Sequence, residues 1–303
     1  MKRLLGLIVG VLILGGCAKN SPDIANPAFA PDISAVPGNF IQKVLLERFT
    51  MSSCGQCPKA DVYVDSLMKL YPNRFYAASI HVDDMMEAAT NLSADSTNIL
   101  DSMFNTLSVY PGGILNRHNY VPSDFAIDNW FTNTQSLVSQ VPSCGLALEA
   151  KEIGSNNHLR LVVHAGFSQA MAGDYRLHGY IIENTVYSND SAYDQLNDFS
   201  FEGATPDTNL HTLYSLNDTV HLYKHKYVLK KIITVNGAVG DQIPQAIMTR
   251  GNEYVKVYDV DLTGINTSSS HIIFFVDKYG DTPVSHWIEN VQKVNIGESK
   301  DWN

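Results

Sequence analysis

The chain is short of positive charge, short of cysteine, and has no second run of apolar residues long enough to cross a membrane. Lysine and arginine number 21 against 31 aspartates and glutamates, for a net charge of −10. A body of that sign is repelled by phosphates rather than steered to them, which excludes nucleic acid as a partner. After residue 14, no apolar stretch reaches the roughly 20 residues that a membrane helix needs. Metal-ligand spacing is missing too. His221 and His225 stand four apart in a strand-like segment, with no cysteine or carboxylate at a ligand spacing, so neither a metal nor a cofactor is expected.

Of the four cysteines, the first has its own explanation. Lys2 and Arg3 precede an apolar run from Leu4 to Leu14, then Gly15-Gly16 and Cys17. This is the layout of a secretory signal, too short for a permanent membrane helix. Its end, Leu14-Gly15-Gly16-Cys17, resembles the lipobox of bacterial lipoproteins, in which the cysteine thiol receives the lipid and becomes the new N-terminus. Residues 1–16 are therefore expected to be a signal peptide and Cys17 a lipidated (palmitate-bearing) anchor. Each acyl methylene buried in the bilayer contributes roughly 0.8 kcal/mol, so several chains hold firmly. Residues 17–39, with Asn-Ser-Pro, Asn-Pro, Ala-Pro and Val-Pro-Gly, are expected to be a flexible tether. Ala18-Lys19-Asn20 offers neither an Asp directly after Cys17 nor an acidic run. The outer membrane is the expected location, on its periplasmic face ahead of the cell surface.

Cys54, Cys57 and Cys144 remain, in an oxidising compartment, and three cysteines make one pair and one single thiol most simply. Val44–Thr50 is a β-rich run, followed by Cys54-Gly55-Gln56-Cys57-Pro58. A helical apolar pattern (Val62, Leu67, Met68, Leu70, Tyr71) ends at Pro72, and Phe75–Val82 reads as a buried strand. A strand, a C-x-x-C turn at a helix N-terminus, a helix and a strand make a βαβ unit of redox type. The helix N-terminus favours an anion and lowers a thiol pKa at Cys54, and Cys57 could close a disulfide with it. Pro111, entering a short strand after a helix, sits where thioredoxin-like folds keep a cis-proline facing the disulfide. Glu47, on the strand before the motif, could be a buried acid that helps move a proton, or could pair with Arg48 on the surface. Helices are expected over Asn98–Leu107 and Ser123–Val141, the latter with a Ser123-Asp124 cap, and Asp83–Asp95 as a solvated loop. Residues 40–142 thus read as an α/β thioredoxin-like domain.

Several of these segments carry a resemblance. Leu46–Thr50, Cys54–Pro58, Ile80-His81-Val82 and Tyr110–Arg117 together resemble the Omp28-related outer membrane proteins of the Bacteroidetes lineage. The likeness runs from about residue 38 to the end and is weaker in His225–Lys230 and Ile272–Val276. It implies a lipoprotein with a thioredoxin-like N-terminal half and a β-rich C-terminal half. It implies little about activity. Two departures from active thioredoxins stand out: Ser53 occupies the place of their tryptophan, and Gly55-Gln56 is not their motif.

Beyond Pro142 the texture changes to strands: 146–150, 159–165, 175–182, 254–260, 271–277 and 288–296, with Gly154–Asn157 as a hairpin signal. Residues 143–303 are expected to form an all-β, immunoglobulin-like sandwich. Tyr187–Asp218, rich in Asn, Asp and Ser, reads as a long loop, where binding usually lies. Cys144, at the junction, is either a free buried thiol or a resolving partner for Cys54 or Cys57.

Three functions follow. The first is an envelope binding or structural lipoprotein on a thioredoxin-like scaffold, with an envelope protein or glycan as partner. The second is a tethered thiol–disulfide oxidoreductase using Cys54, Cys57, Pro111 and Glu47. The third, a surface adhesin or glycan binder, rests on fold analogy alone. The enzyme reading stands behind the first, because a disulfide persists outside the cytoplasm without catalytic purpose.

Overall fold

A computed structural model describes residues 33–94, 97–104, 109–118, 126–152, 157–200, 210–282 and 285–303. Residues 1–16, Cys17, most of the tether, Ser123-Asp124 and Gly154–Asn156 lie outside the described residues. Residues Pro31–Asn303 form one compact unit. Among the described residues no helix is long and apolar enough to cross a membrane, which leaves membrane strands unaddressed.

The chain begins with β1 (Val44–Thr50), α1 (Cys57–Leu70), β2 (Phe75–His81), α2 (Ile99–Phe104), β3 (Gly112–Leu115) and α3 (Trp130–Val138). It continues with β4 (Cys144–Glu152), β5 (His158–Phe167), β6 (Tyr175–Val186), β7 (Gln195–Leu196), α4 (His211–Tyr214) and β8 (Thr219–Val220). The last elements are β9 (His225–Ile232), β10 (Asp241–Gln242), β11 (Glu253–Asp261), β12 (Ser270–Lys278), β13 (Trp287–Asn295) and β14 (Ser299–Lys300). The second expected helix is thus shorter at its start than Ser123, and the first ends at Phe104 within the described residues.

β1 and β2 pair in parallel, and β3 pairs antiparallel with β1. Strand side chains alternate between faces, and β1 uses both. Val44 and Leu46 pack against Ala60, Val64 and Leu67 of α1 and Trp130 of α3. Leu45 and Phe49 join the opposite core with Tyr180, Ile182, Ile273 and Phe275. A strand covered on both faces reads as a continuous apolar run, and every residue of β1 and β2 is buried.

The sheet does not stop at the expected division between residues 142 and 143. Its order is β13-β12-β6-β9-β2-β1-β3, with β10 attached to β6. The joint between the halves is the bridge Ser79–Val228, reinforced by Ser79 Oγ donating to the Lys226 carbonyl at 2.6 Å. The change of texture at Pro142 therefore marks a change from helix-covered to sheet-covered structure within one sheet. A second sheet, β11-β5-β4-β14, lies over β6, β12 and β13. The apolar layer between them takes Leu146, Leu148, Leu161 and Val163 from one side and Leu177, Ile272, Phe274 and Val276 from the other. The molecule is thus mixed α/β, with large sheets and few helices.

The last expected residues of the tether are packed rather than free. Ser34 accepts a hydrogen bond from Trp302 Nε1 at 2.9 Å, and Ile33 and Val36 lie against the cluster of Phe40, Ala147 and Trp302. Their apolar side chains gain more from that cleft than from water.

On the second sheet His164 is held between two carboxylates, Glu149 at 3.0 Å on Nε2 and Glu253 on Nδ1. Burial alone would lower its pKa, but the two hydrogen bonds outweigh burial and raise it. A raised folded-state value stabilises fully below the unfolded pKa of about 6.5 and fades as pH rises through the folded value. The Tm advantage of the wild type over His164→Gln should be larger at pH 5.5 than at pH 9. An advantage that grows with pH contradicts the arrangement.

Candidate functional site

The C-x-x-C segment is a tight turn set by its own backbone. Cys54 N–H donates to the Met51 carbonyl and Cys57 N–H to the Cys54 carbonyl, each at 3.1 Å. Pro58 then stands in the first turn of α1, where its missing N–H costs nothing. Cys54 and Cys57 form a disulfide with a Cα–Cα distance of 5.4 Å. Cys57 is buried and Cys54 is half-buried. Pro111, joined to Tyr110 by a cis peptide, leads into β3, which pairs with β1 through Arg48–Gly113 and Phe49–Gly112. Cys144 is a buried free thiol in the core between the two sheets, and burial drives its pKa well above the usual thiol value. The resolving role considered for it is not seen, since Cys54 and Cys57 are bonded to each other.

The acid on the α1 side of the strand is not Glu47. Alternation puts Arg48, not Glu47, toward α1, and Arg48 pairs with Asp61 at 2.5 Å. Asp61 is one turn beyond Cys57, and its second oxygen accepts from Tyr223 Oη at 2.6 Å. Burial and then the Asp61 carboxylate push the Tyr223 hydroxyl far above its ordinary pKa. Glu47 lies on the opposite face, fully buried, and does not pair with Arg48 on the surface. Arg117 grips it with two bonds of 2.7 and 2.8 Å, Tyr180 Oη donates to it at 2.7 Å, and Arg117 also reaches Asp277 at 3.0 Å. Burial alone would raise the Asp277 carboxyl, but the Arg117 guanidinium holds it below the usual range. Phe104 and Phe275 flank the Arg117 guanidinium, with ring centres at 5.0 and 4.9 Å.

Below the turn, His81 Nδ1 meets Asp84 at 2.7 Å, and Asp84 also accepts from the N–H groups of Ser52 and Met86. At the start of the expected solvated loop, Asp84 is consumed by structural hydrogen bonds while Asp83 stays exposed. His225 packs edge-on against His81, and its Nε2 donates to the Tyr193 carbonyl at 2.8 Å. Burial and the neighbouring His81 ring push His225 down to about 4. His221 is exposed and meets Asp194 at 2.6 Å instead of sharing a face with His225.

The expected long loop from Tyr187 contains more order than its composition suggests, and it reaches the cysteines. β7 pairs with β8, and the residues around β7 form a strap along the turn. Leu196 N–H donates to the Ser52 carbonyl, Asp198 N–H to the Gly55 carbonyl, and Gln195 Nε2 to the Cys54 carbonyl, at 2.8 to 2.9 Å. Asp198 also accepts from Gln56 Nε2 at 2.9 Å. A Cβ on Gly55 would stand 1.9 Å from an Asp198 oxygen, so a side chain there would displace that carboxylate. Sequence reasoning missed the inward direction of Arg48, its partner Asp61, then Tyr223 and the strap. The first two were within reach by strand and helix periodicity, whereas the strap docks largely through backbone groups that leave no residue signature.

Along α1 a cleft of about 490 Å³ runs from Pro58 to Lys69 and is closed on its other side by Leu213, Tyr223 and Lys224. Its Asp65 is held by Lys226 at 2.5 Å. Among the described residues no group of histidines, cysteines and carboxylates is arranged to hold a metal ion. Chemically, the site presents one half-buried sulfur, one buried sulfur and a turn whose carbonyls are already engaged.

Comparison with known proteins gives a family and a fold. The model of the outer membrane protein family Omp28 matches residues 98–300. Among solved structures, the chain is similar to HBP35 of Porphyromonas gingivalis, with a TM-score of 0.63 and 15% identity over 88% of this chain and 78% of that one. It is also similar to a protein of Agrobacterium tumefaciens solved as a structural-genomics target, with a TM-score of 0.51 and 12% identity over 85% and 95% of the two chains. At these identities the likeness is one of fold alone. No curated protein matches the chain.

Proposed function

The chain belongs to the Omp28 family of outer membrane proteins, and from that premise we propose an envelope binding or structural lipoprotein whose Cys54–Cys57 disulfide is a staple. In this reading the first half is a thioredoxin-like scaffold. The parallel β1 and β2, the cysteine pair at the start of α1 and Pro111 before the antiparallel β3 support it. The second half is an immunoglobulin-like sandwich, supported by the two sheets that share one apolar core. Cys17 carries the lipid that holds the protein at the outer membrane. The partner is an envelope protein or glycan met through the β-rich half.

The observation that carries the staple reading is the strap. An exchange site must admit a second chain to the turn that holds its attacking sulfur. Here Gln195, Leu196 and Asp198 occupy the carbonyls of Ser52, Cys54 and Gly55. The test is the reduction potential of the full chain, with insulin reduction as activity control. A value below about −300 mV with no turnover is expected of a structural disulfide. A value in the thioredoxin-to-isomerase range, with turnover lost in Cys54→Ser, overturns the reading. For the anchor, Cys17→Ser should abolish labelling by palmitate and release the protein from the outer-membrane fraction.

One observation favours the second reading, a tethered thiol–disulfide oxidoreductase. Exposure is divided as exchange requires, with Cys54 half-buried and Cys57 buried. Once a donor dithiol has reduced the pair, the Cys54 thiolate would attack a substrate disulfide and release one substrate thiolate. Cys57 would then attack the Cys54 sulfur, release the second substrate thiolate and restore the Cys54–Cys57 bond. The same potential and turnover measurement decides between the two.

A further inference from the structure

We propose that Asp198 is a guard for the Cys54–Cys57 disulfide: its carboxylate, seated on the two residues between the cysteines, repels thiolates that approach Cys54. The proposal rests on the staple reading and gives it a chemical cause.

The seat is specific at both residues of the motif. Gln56 is read by its amide, which donates to Asp198 Oδ2 at 2.9 Å. Gly55 leaves the space the carboxylate occupies, since a Cβ would stand 1.9 Å from Oδ1 and push it aside. The Asp198 N–H, on the Gly55 carbonyl at 2.9 Å, fixes the backbone that presents the carboxylate. Just before it, Leu196 and Gln195 fasten the strap to Ser52 and Cys54, so the backbone that carries Asp198 is held at three points, and Gln56 holds the carboxylate itself. Gln56 is neutral and leaves the charge intact, and among the described residues no lysine or arginine forms an ion pair with Asp198. The dipeptide between the cysteines thus serves as the dock for an anion.

The consequence follows from the chemistry of reduction. An external thiolate attacks the half-buried Cys54 sulfur, the Cys54–Cys57 bond breaks, and Cys57 leaves as a thiolate that takes a proton. The second thiol of a dithiol reductant then attacks its own sulfur in the mixed disulfide, and Cys54 leaves as a thiolate and is protonated. Two electrons and two protons have passed, and the reductant has become a cyclic disulfide. Negative charge gathers beside Cys54 at both steps, where a fixed carboxylate opposes it. Asp198 is itself exposed, so salt screens the effect.

The experiment follows thiol release from the full chain with two reductants, dithiothreitol, which attacks as a thiolate, and a neutral trialkylphosphine, which leaves as its oxide with oxygen from water. Asp198→Asn keeps the hydrogen-bonding shape and removes the charge. It should be reduced by dithiothreitol several-fold faster, up to about tenfold at low ionic strength, and the gain should shrink toward unity in about 1 M salt. Reduction by the phosphine should change little. Gln56→Lys leaves Asp198 in place and neutralises it, and should act in the same direction. Unchanged rates with dithiothreitol in both variants overturn the proposal, and so does equal acceleration by both reductants, the mark of a merely loosened strap. The staple reading fails separately, by a wild-type potential in the thioredoxin range, whatever the rate ratios show.

Discussion

Arg117→Met should unfold the protein or leave it about 3–5 kcal/mol less stable, seen as a lower urea midpoint at unchanged slope. Arg117, Glu47 and Asp277 have no exposed side-chain surface at all. Their attraction repays the loss of hydration only while every partner is present. Without Arg117, Glu47 keeps Tyr180 and Asp277 keeps His178 and His286 at 3.4 and 3.2 Å, but the cation between the two buried carboxylates is gone. Phe104 and Phe275 flank the guanidinium and bring no hydrogen-bond donor to replace the missing cation. Adding Glu47→Gln to Arg117→Met should recover part of the loss, since it deletes one stranded charge. A single-variant loss under about 1 kcal/mol would mean that water reaches the cluster and that the burial argument is wrong.

Phe274→Ala should cost about 3–5 kcal/mol by the same measurement. The ring is fully buried in the layer between the two sheets and leans on Tyr258 with centroids 5.3 Å apart. Its place is cut by Gly179 on β6, where a Cβ would stand 2.2 Å from the ring carbon Cζ. Truncation therefore opens a void that Gly179 cannot fill and that neighbours on two hydrogen-bonded sheets cannot collapse into. Gly179→Ala attacks the same contact from the other side, by overpacking, and should cost about 1–3 kcal/mol. If Phe274→Ala loses less than Gly179→Ala, the layer is looser than its burial indicates.

The parts of the fold that follow from short-range pattern were legible in the sequence. Val44–Thr50, the C-x-x-C turn, α1 and β2 announce themselves within 40 residues, because strand, breaker and helix signals sit side by side. Glu47 shows where such reading fails. Its burial was foreseeable, but its partner Arg117 is 70 residues away and the next shell, Asp277, is 160 beyond that. Local spacing carries no trace of such pairs. The suggestion of a Glu47–Arg48 surface pair could have been refused at once, since neighbours on a strand face opposite ways. Asp61 was likewise within reach, four residues after Cys57 on the same helical face. The division at residue 142 misled for a different reason. Composition reports what covers a sheet, and a change from helices to a second sheet looks like a new domain even when β9 simply extends the first. The strap over Cys54 had no signal at all beyond a polar loop.

The Glu47–Arg117–Asp277 cluster also sets a clock on biogenesis. Strand β1 and Arg117 leave the ribosome early, while Asp277 follows Arg117 by 160 residues. At 5–20 residues per second that interval is about 8–30 s. Throughout it the face bearing Leu45 and Phe49 lacks β12, for the first part of it β6 as well, and one partner of the guanidinium does not yet exist. The nascent N-terminal half therefore stays open and adhesive until the chain is nearly finished. The order of synthesis thus leaves the last cover of that face to a strand made near the end of the chain.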